Sequence, residues 1–551
     1  MMFSHDRLES IPMSDASSPA APGTSGTAGK IATLGERLAE AAAPGGDQAI
    51  QAVHEAGGLT ARERVEHFLD TDSFVEIDAL AKHRVTEHGL DAHRPATDGV
   101  VAGYGTVDGR KVCVFSQDAT IFEGRLGESY GEKIVKVQKL AATTGVPLVS
   151  FLEGAGPRAA EGVSALAFFA TILAGQAQAS GLIPQIAVVT GELTGPHALL
   201  AAQADFVIMA ADHAGISLTA PAIIEKVTGR TADCVGDFGA SAHATASGIA
   251  HLTCDDQEQA IGAAAELIAL LPANNRAEAP RTLESRVTGS VADNISEVDR
   301  ELDAIIPDSA RQPYDMREVI NRVVDEGWFF ELSAQFAGNI LTGLARVEGR
   351  SVGIVANQPM ELAGCVTSKA SAKAARFIRI CDAFNIPVVT LVDAAGFVPE
   401  HDEELSGVTL AAGKLAAAYA EAQVGTITVV TRQAMGAAEV VLGAKHLGVD
   451  LVFAWPTAQI AALDAATAVP VIHAAELRKA ARRKKDVGAL TEQLIDEYNE
   501  THLSPYLAAE RGLVDAVIPP RETRGQLVEG LRLLDRKVVY PPAKKHSNAA
   551  L

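Results

Sequence analysis

The sequence predicts an α/β protein built from two tandem copies of one unit, and three observations carry that prediction. The first is a repeat of fixed register. Gly109 and Gly349, Lys133 and Lys373, Pro147 and Pro387, and Gly156 and Gly396 each lie 240 residues apart. Around them, Val107-Asp-Gly-Arg-Lys-Val112, Gly145-Val-Pro-Leu-Val149 and Glu153-Gly-Ala-Gly156 are echoed by Val347-Glu-Gly-Arg-Ser-Val352, Asn385-Ile-Pro-Val-Val389 and Asp393-Ala-Ala-Gly396. A register held over that distance marks a duplicated supersecondary unit, and two copies of a ligand-holding unit place a site where they meet. The second observation is the alternation of short β-rich runs with alanine-rich helical runs, the pattern of sheets covered by helices. The third is composition: 48% of residues are hydrophobic but only 5% are aromatic. Small aliphatic side chains therefore fill the cores, which suits helices packed closely on sheets.

Taken in order, Ile31 to Ala43 has Leu34 and Leu38 at helical spacing and stops at Pro44-Gly45-Gly46. Thr60-Ala-Arg-Glu63 has capping-box spacing and opens a short helix. Phe74 to Ile77, Val100 to Tyr104 and Lys111 to Phe115 read as strands, the last two joined by a hairpin at Asp108-Gly109. A helix over Glu132 to Thr143, a buried strand over Pro147 to Leu152, a helix over Ser164 to Ser180 and a strand over Gln185 to Thr190 follow. The second half repeats the order: strand Val352 to Ala356, helix Ser371 to Phe384, strand Pro387 to Val392, helix Leu410 to Ala422, strand Thr426 to Thr431, and a helix from Gly436 to Leu442. The seam is expected between Pro272 and Pro313. This gives a disordered tail over residues 1–30, a first domain over 31–290 and a second over 291–551.

The formal net charge of −22 argues against nucleic acid and anionic membranes as partners. An anionic substrate needs a local basic cluster to overcome that field. Five cysteines with no C-x-x-C pair give no zinc-ribbon signal and fit a reducing cytoplasm. No apolar run reaches the roughly 18 residues of a membrane span.

Four places have glycine or other small residues where a buried strand ends: Gly154 to Arg158, Gly191 to Gly195, Asp393 to Phe397 and Gly436 to Ala438. A strand end that feeds a helix N-terminus exposes unpaired backbone N–H groups, which can hold a developing oxyanion with the helix dipole assisting. The alternative is a set of tight turns packed for structure alone. Lys133, Lys136 and Lys139 share one helix face, with Arg125 just upstream. That stripe can hold phosphates or can be a solvated face. G-x-S-x-G, Walker and G-x-G-x-x-G motifs are absent, and His213, His243 and His251 are scattered structural histidines. Amide donors without a side-chain base imply that the cofactor or substrate supplies the base.

With the repeat and these strand ends in place, the chain resembles the acyl-CoA carboxylase β subunit family, the carboxyltransferase component of propionyl-CoA and related carboxylases. The resemblance is carried by Asp98-Gly-Val-Val-Ala-Gly-Tyr-Gly105, Phe115-Ser-Gln-Asp118, Leu126-Gly-Glu-Ser-Tyr-Gly-Glu-Lys-Ile-Val-Lys136, Ser180-Gly-Leu-Ile-Pro-Gln185, Val355-Ala-Asn-Gln-Pro359, Ala375-Arg-Phe-Ile-Arg-Ile-Cys-Asp-Ala-Phe384 and Phe453-Ala-Trp-Pro-Thr-Ala458.

The resemblance implies two crotonase-like superdomains, hexamers (homomeric or of mixed β chains), and a site between the first half of one chain and the second half of another. It implies that residues 31–290 hold the acyl-CoA and residues 291–551 the carboxybiotin, with biotin carried by a separate α subunit. The absence of a Met-Lys-Met biotinylation site and of an ATP-binding loop agrees with that division. It further implies that the amides of Ala155 and Gly156 hold the thioester oxygen, and that those of Ala437 and Ala438 hold the ureido oxygen of biotin. Arg125, Lys133 and Lys136 are the expected phosphate-side residues. Val440 stands where short-chain members carry Asp, which implies a longer or branched acyl group. The departures cluster at the same places: Ala155-Gly-Pro-Arg158 for Gly-Gly-Ala-Arg, Gly195-Pro-His197 for Gly-Gly-Ala, Ala395-Gly-Phe-Val-Pro-Glu400 for Pro-Gly-Phe-Leu-Pro-Gly, and Ala-Ala for Gly-Ala at 437–438. They leave two rivals, a biotin-independent alkylmalonyl-CoA decarboxylase on this scaffold and a catalytically silent structural β subunit.

Overall fold

The computed structural model describes residues 26–282, 291, 295–309 and 312–548. Each half is built on an eight-stranded sheet. In the first, β1 (Val75–Glu76), β2 (Val100–Val107) and β3 (Arg110–Gln117) run antiparallel. β4 (Leu148–Gly154), β5 (Gln185–Thr194), β6 (Phe206–Ala210) and β8 (Leu252–Cys254) continue the sheet in parallel, while β7 (Gly215–Ser217) pairs with the far end of β5. The second sheet repeats this with β9 (Phe329–Leu332), β10 (Ile340–Val347), β11 (Arg350–Asn357), β12 (Val388–Ala394), β13 (Thr426–Met435), β14 (Leu451–Ala454) and β16 (Ala516–Val517), and β15 (Gln459–Ala461) pairs with the end of β13. Three pairs of helices cover equivalent places: α1 (Glu128–Thr144), α2 (Val163–Ala179) and α3 (His197–Ala202) in the first half, and α4 (Ser368–Ala383), α5 (Val408–Glu421) and α6 (Gly436–Val441) in the second.

The sequence explains these elements locally. The capping box at Thr60 and Glu63 is formed in both directions. The hairpin between β2 and β3 turns through Asp108 (φ 49°) and Gly109 (φ 73°), and its twin through Glu348 (φ 52°) and Gly349 (φ 71°). Central strands such as β4 and β12 are buried along their whole length, as parallel strands covered on both faces must be. The duplication extends to rare backbone. Phe122, Glu123 and Gly124 have φ of 51°, 56° and 66°, and Leu362, Ala363 and Gly364 have 49°, 53° and 71°. Two successive non-glycine residues in the left-handed region are costly, roughly 1–2 kcal/mol each, so the same turn in both halves is a built feature. Only glycine fits its third position: a Cβ on Gly364 would lie 2.1 Å from the Asp393 carbonyl oxygen.

The halves share one apolar core that runs from Phe68 and Phe151 through to Phe377 and Leu415. Main-chain and side-chain bonds cross the seam, including Ser333 N–H to the His251 carbonyl (2.7 Å) and Asn385 Nδ2 to the carbonyls of Asn275 and Ala277 (2.9 Å each). The expected boundary near residue 290 falls within 283–294, of which only Val291 is described. Residues 1–25 of the expected tail lie outside the described residues. The remainder of that tail is corrected, because a helix spans Thr27–Ala42.

A buried lysine recurs at the same repeat position. Lys373 Nζ donates to the carbonyls of Ser333 (2.8 Å), Phe336 (2.8 Å) and Ile340 (2.7 Å). Lys133 Nζ donates to the carbonyls of Thr97 (3.1 Å) and Val100. Burial pushes the two ammonium groups down, to about 7 and about 8 respectively. Each lysine thus ties a helix (α4 or α1) to the loop that leads into the second strand of its sheet (β10 or β2). Lys373→Met leaves three inward carbonyls without their donor, and we expect it to lower stability by about 3 kcal/mol in urea or thermal unfolding. Lys369→Met, one turn away and packed over the Phe336 ring, should change it by about 0.5 kcal/mol or less.

Candidate active site

The long central strands β5 and β13 each run ten residues, past a register shift in the neighbouring strand at Leu152/Gly154 and Val392/Ala394. Each then turns through a left-handed glycine, Gly195 (φ 63°) or Gly436 (φ 57°), into a six-residue helix. These turns are the structural twins, so Ala437 and Ala438 correspond to Pro196 and His197, not to Ala155 and Gly156. The twins of Ala155 and Gly156 are Ala395 and Gly396, as the isolated bridges Leu126↔Pro157 and Val366↔Phe397 also require.

At the second mouth the amides of Ala437 and Ala438 lie in the first turn of α6, where helix geometry leaves N–H groups without an intrahelical acceptor. Among the described residues they have no other acceptor either. Ala438 is fully buried, and the Val440 side chain is half exposed beside them. Beneath this turn, Asp393 at the end of β12 holds Arg432 at 2.9 Å, and the Arg432 guanidinium lies over the Tyr314 ring. Burial raises the Asp393 carboxyl and the neighbouring guanidinium opposes it. A cleft of about 410 Å³ opens next to Arg432, lined also by Thr457, Gln459, Asn499 and Ser504.

The first mouth is different, and three expectations are corrected there. Ala155 N–H donates to the Glu123 carbonyl (3.2 Å) and Gly156 N–H to His197 Nδ1 (3.1 Å), so neither is free to meet a substrate oxygen. The small residues at 154–156 serve close packing instead. A Cβ on Gly154 would fall 2.6 Å from the Gly124 carbonyl oxygen and 2.8 Å from His197 Nε2. Of the lysine stripe, Lys133 is withdrawn: it points inward onto carbonyls, while the exposed Lys136 is paired with Asp78 at 2.7 Å. Arg125 is spent on Glu123 (2.8 Å) and on the Ala155 carbonyl (2.9 Å). A cleft of about 550 Å³ lies over these strand ends, lined by Arg64, Glu123, Glu153, Ala155 and Glu192. Its one deeply placed cation, Arg64, is paired with Glu153 at 2.8 Å.

Sequence reasoning missed Pro196 and His197 as the counterparts of the second pair, because β5 and β13 align at an offset of 241 rather than 240, which puts Gly195, not Pro196, opposite Gly436. Proline has no N–H, so of these two positions only His197 keeps a main-chain donor. The His197 ring is fully buried, edge-on to Phe169 (4.8 Å) and Tyr130 (6.4 Å). Its Nδ1 accepts from Gly156, so the ring proton sits on Nε2, which is buried without a partner. Burial, with the charge of Arg125 adding, pushes its pKa down to about 3, and the ring is neutral. His251 is likewise structural, with Nδ1 accepting from Val207 N–H, and His243 bonds the Ile216 carbonyl.

Two duplicated α/β superdomains, each ending its longest strand in a glycine turn and a short helix, define a crotonase-like carboxyltransferase. The carboxyl transferase domain family matches residues 52–549, and the chain belongs to that family, among the acyl-CoA carboxylase β subunits. It is 50% identical over 525 residues to the biotin-dependent acetyl-/propionyl-coenzyme A carboxylase beta5 subunit of Mycobacterium tuberculosis, covering 95% of this chain and 96% of that one. It is 50% identical over 532 residues to the propionyl-CoA carboxylase beta chain of Saccharopolyspora erythraea, covering 96% and 97%. The crystal structure of transcarboxylase 12S, a hexamer with methylmalonyl-coenzyme A bound, superposes with a TM-score of 0.91 at 38% identity over 95% of this chain and 98% of that one.

A histidine held neutral in the fold and protonated in the unfolded chain makes stability fall as pH drops from the unfolded value near 6.5 toward 3. We expect His197→Gln, whose amide oxygen can still accept from Gly156, to flatten that fall by one proton, about 1.4 kcal/mol per pH unit, in unfolding curves taken between pH 6 and 4.

Proposed function

We propose that this chain is the carboxyltransferase subunit of a biotin-dependent acyl-CoA carboxylase, moving a carboxyl group from carboxybiotin to the α-carbon of an acyl-CoA. The observation that carries the reading is the pair of acceptor-free amides at Ala437 and Ala438, in a chain matching carboxylase β subunits over nearly its whole length. Two N–H groups at a helix start suit an oxygen that gains negative charge during the reaction, and removing one such donor from an enzyme costs roughly 10²–10³ in rate. Biotin, on a separate α subunit, supplies the carboxyl group and offers a ureido oxygen as the acceptor for Ala437 and Ala438. On the acyl side, the His197 N–H is the main-chain donor left at the equivalent turn. The neutral His197 ring keeps Gly156 and the 155–158 loop fixed behind it.

The same reading takes the protein as a cytoplasmic oligomer. Apolar side chains stand exposed on the surface, among them Val163, Val227, Leu405 and Val471, which suits burial against a neighbouring copy. Among the described residues no helix is long and apolar enough to cross a membrane. Pro196 favours a second arrangement of the same chemistry, in which a homologous β chain of a mixed hexamer contributes the acyl-side donors.

Reconstitution tests the reading. The purified chain with a biotinylated α subunit, ATP, radiolabelled bicarbonate and octanoyl-CoA should give acid-stable label in the acyl-CoA. Label that appears only when a homologous β chain is added would select the mixed assembly. Release of CO₂ from an alkylmalonyl-CoA by the chain alone, without any biotin protein, would overturn carboxyl transfer in favour of a decarboxylase.

Val440 is proposed to set acyl preference. Its apolar side chain beside the amide pair suits a longer or branched chain. Val440→Asp should move the ratio of kcat/KM for octanoyl-CoA over propionyl-CoA toward propionyl-CoA by about tenfold or more.

A further inference from the structure

The net charge of −22 turns the surface as a whole away from anions, but one place inverts that sign. After β15, the chain makes a helical excursion through α7 (Ala465–Ile472), α8 (Ala474–Arg482) and α9 (Val487–His502), three helices packed on one another. At the corner between α8 and α9 stand Arg478, Lys479, Arg482, Arg483, Lys484 and Lys485, all exposed. Among the described residues none of the six makes an ion pair, and Arg478 Nε donates to the Ala474 carbonyl of its own helix. Across 474–491 the acids are Glu476 and Asp486, and both are occupied. Glu476 faces His473, and Asp486 caps α9 by accepting from Ala489 N–H. Buried Ala480 marks the inner side of α8, so its cations face outward. Lys484 adopts φ 53° where the chain turns toward α9, which keeps the charges together at one corner.

Three features say what such a corner takes. The six cations have no fixed acceptor, so they act as a field and not as a shaped pocket. Within about 8 Å, the screening length at physiological salt, that local field outweighs the more distant net charge. From Gln459 to Ile495 the chain has no Phe, Tyr or Trp, so the bases of a nucleic acid find no ring to stack on. An oligomer carries one corner per copy, and a flat surface is open to several at once, which multiplies weak contacts. An anionic bilayer matches these features: its charge is dense, its headgroups move to meet long side chains, and it is flat.

We propose that the cationic corner at Arg478–Lys485 is a docking surface for anionic phospholipid, which holds the assembled protein reversibly at a membrane surface. The proposal goes beyond the carboxyl-transfer reading and stands whether or not that reading does. The contact is peripheral, since among the described residues no helix is long and apolar enough to cross a bilayer. It is electrostatic, so it weakens with added salt. Each cation brought near such a surface strengthens binding by about fivefold.

The test is flotation of the full-length protein with vesicles of phosphatidylcholine containing about 30 mol% phosphatidylglycerol, and with vesicles of phosphatidylcholine alone. The wild type should float with the anionic vesicles at low ionic strength, stay behind with the neutral ones, and be released as salt is raised. The quadruple variant Arg482→Glu, Arg483→Glu, Lys484→Glu, Lys485→Glu should bind the anionic vesicles at least about a hundredfold more weakly. All four side chains are exposed, so its thermal midpoint should be unchanged. A second measurement uses the wild type alone: anionic vesicles should protect Lys479, Lys484 and Lys485 from an amine-directed label while the exposed Lys226 reacts as before. No flotation of the wild type, equal flotation of wild type and variant, or unprotected corner lysines overturns the proposal. Flotation as strong with neutral vesicles as with anionic ones overturns it by removing the charge. A corner that retains a homopolymeric RNA or a biotinylated subunit, and no anionic vesicle, overturns it by assigning the cations to a nucleic acid or a protein partner.

Discussion

One backbone constraint organises both halves: a ten-residue central strand must become a helix within a single residue. Only glycine takes the required left-handed conformation cheaply, and Gly195 and Gly436 do so at φ 63° and 57°. Everything downstream of that turn follows. The helix starts abruptly, its first N–H groups have no intrahelical acceptor, and they face the open ends of the strands. The bulges beside β5 and β13 and the short strands β7 and β15 exist to carry those two strands far enough for the turn to clear the sheet.

The two halves keep this frame and fill it differently. The second mouth leaves the amides of Ala437 and Ala438 without a protein acceptor among the described residues, Ala437 exposed and Ala438 buried behind it. The first puts Pro196 and His197 in the same places, removing one N–H and bringing in a ring that reaches back to Gly156. Because the ring is desolvated, it stays neutral and can accept from a main-chain amide without burying a charge. Gly154 makes room for it, and Gly124 makes room for the Gly154 backbone, which explains why this segment is so poor in side chains. A duplicated scaffold has thus become two unequal surfaces, and the inequality sits in main-chain donors and one imidazole rather than in acids and bases.

Much of the fold was legible in the sequence. The repeat gave the duplication, and apolar alternation placed the central strands and helices to within a few residues, because those elements are set by local pattern and burial. The strand ends were read too short. β5 and β13 continue for four residues beyond Thr190 and Thr431 because their tails pair with β7 and β15, which no local pattern announces. The glycine turns at the strand ends were legible, and the expected pair at Ala437 and Ala438 does stand without an acceptor among the described residues; the expected pair at Ala155 and Gly156 does not. Ala155 and Gly156 look like open amides in sequence, yet both find acceptors far along the chain. Lys133 shares a helix face with Lys136 and still turns inward, since helical spacing cannot say which neighbour carries unmet carbonyls.

The central claim is that the N–H groups following Gly436 stabilise an oxyanion. Ala437→Pro removes one of them at a helix position that accepts proline, and Pro196 occupies the twin position in the first half of this same chain. The account predicts an intact fold and assembly, with kcat for carboxyl transfer reduced by about 10²–10³ and substrate affinity little changed. Activity within a few-fold of the wild type in a correctly assembled Ala437→Pro protein would contradict it.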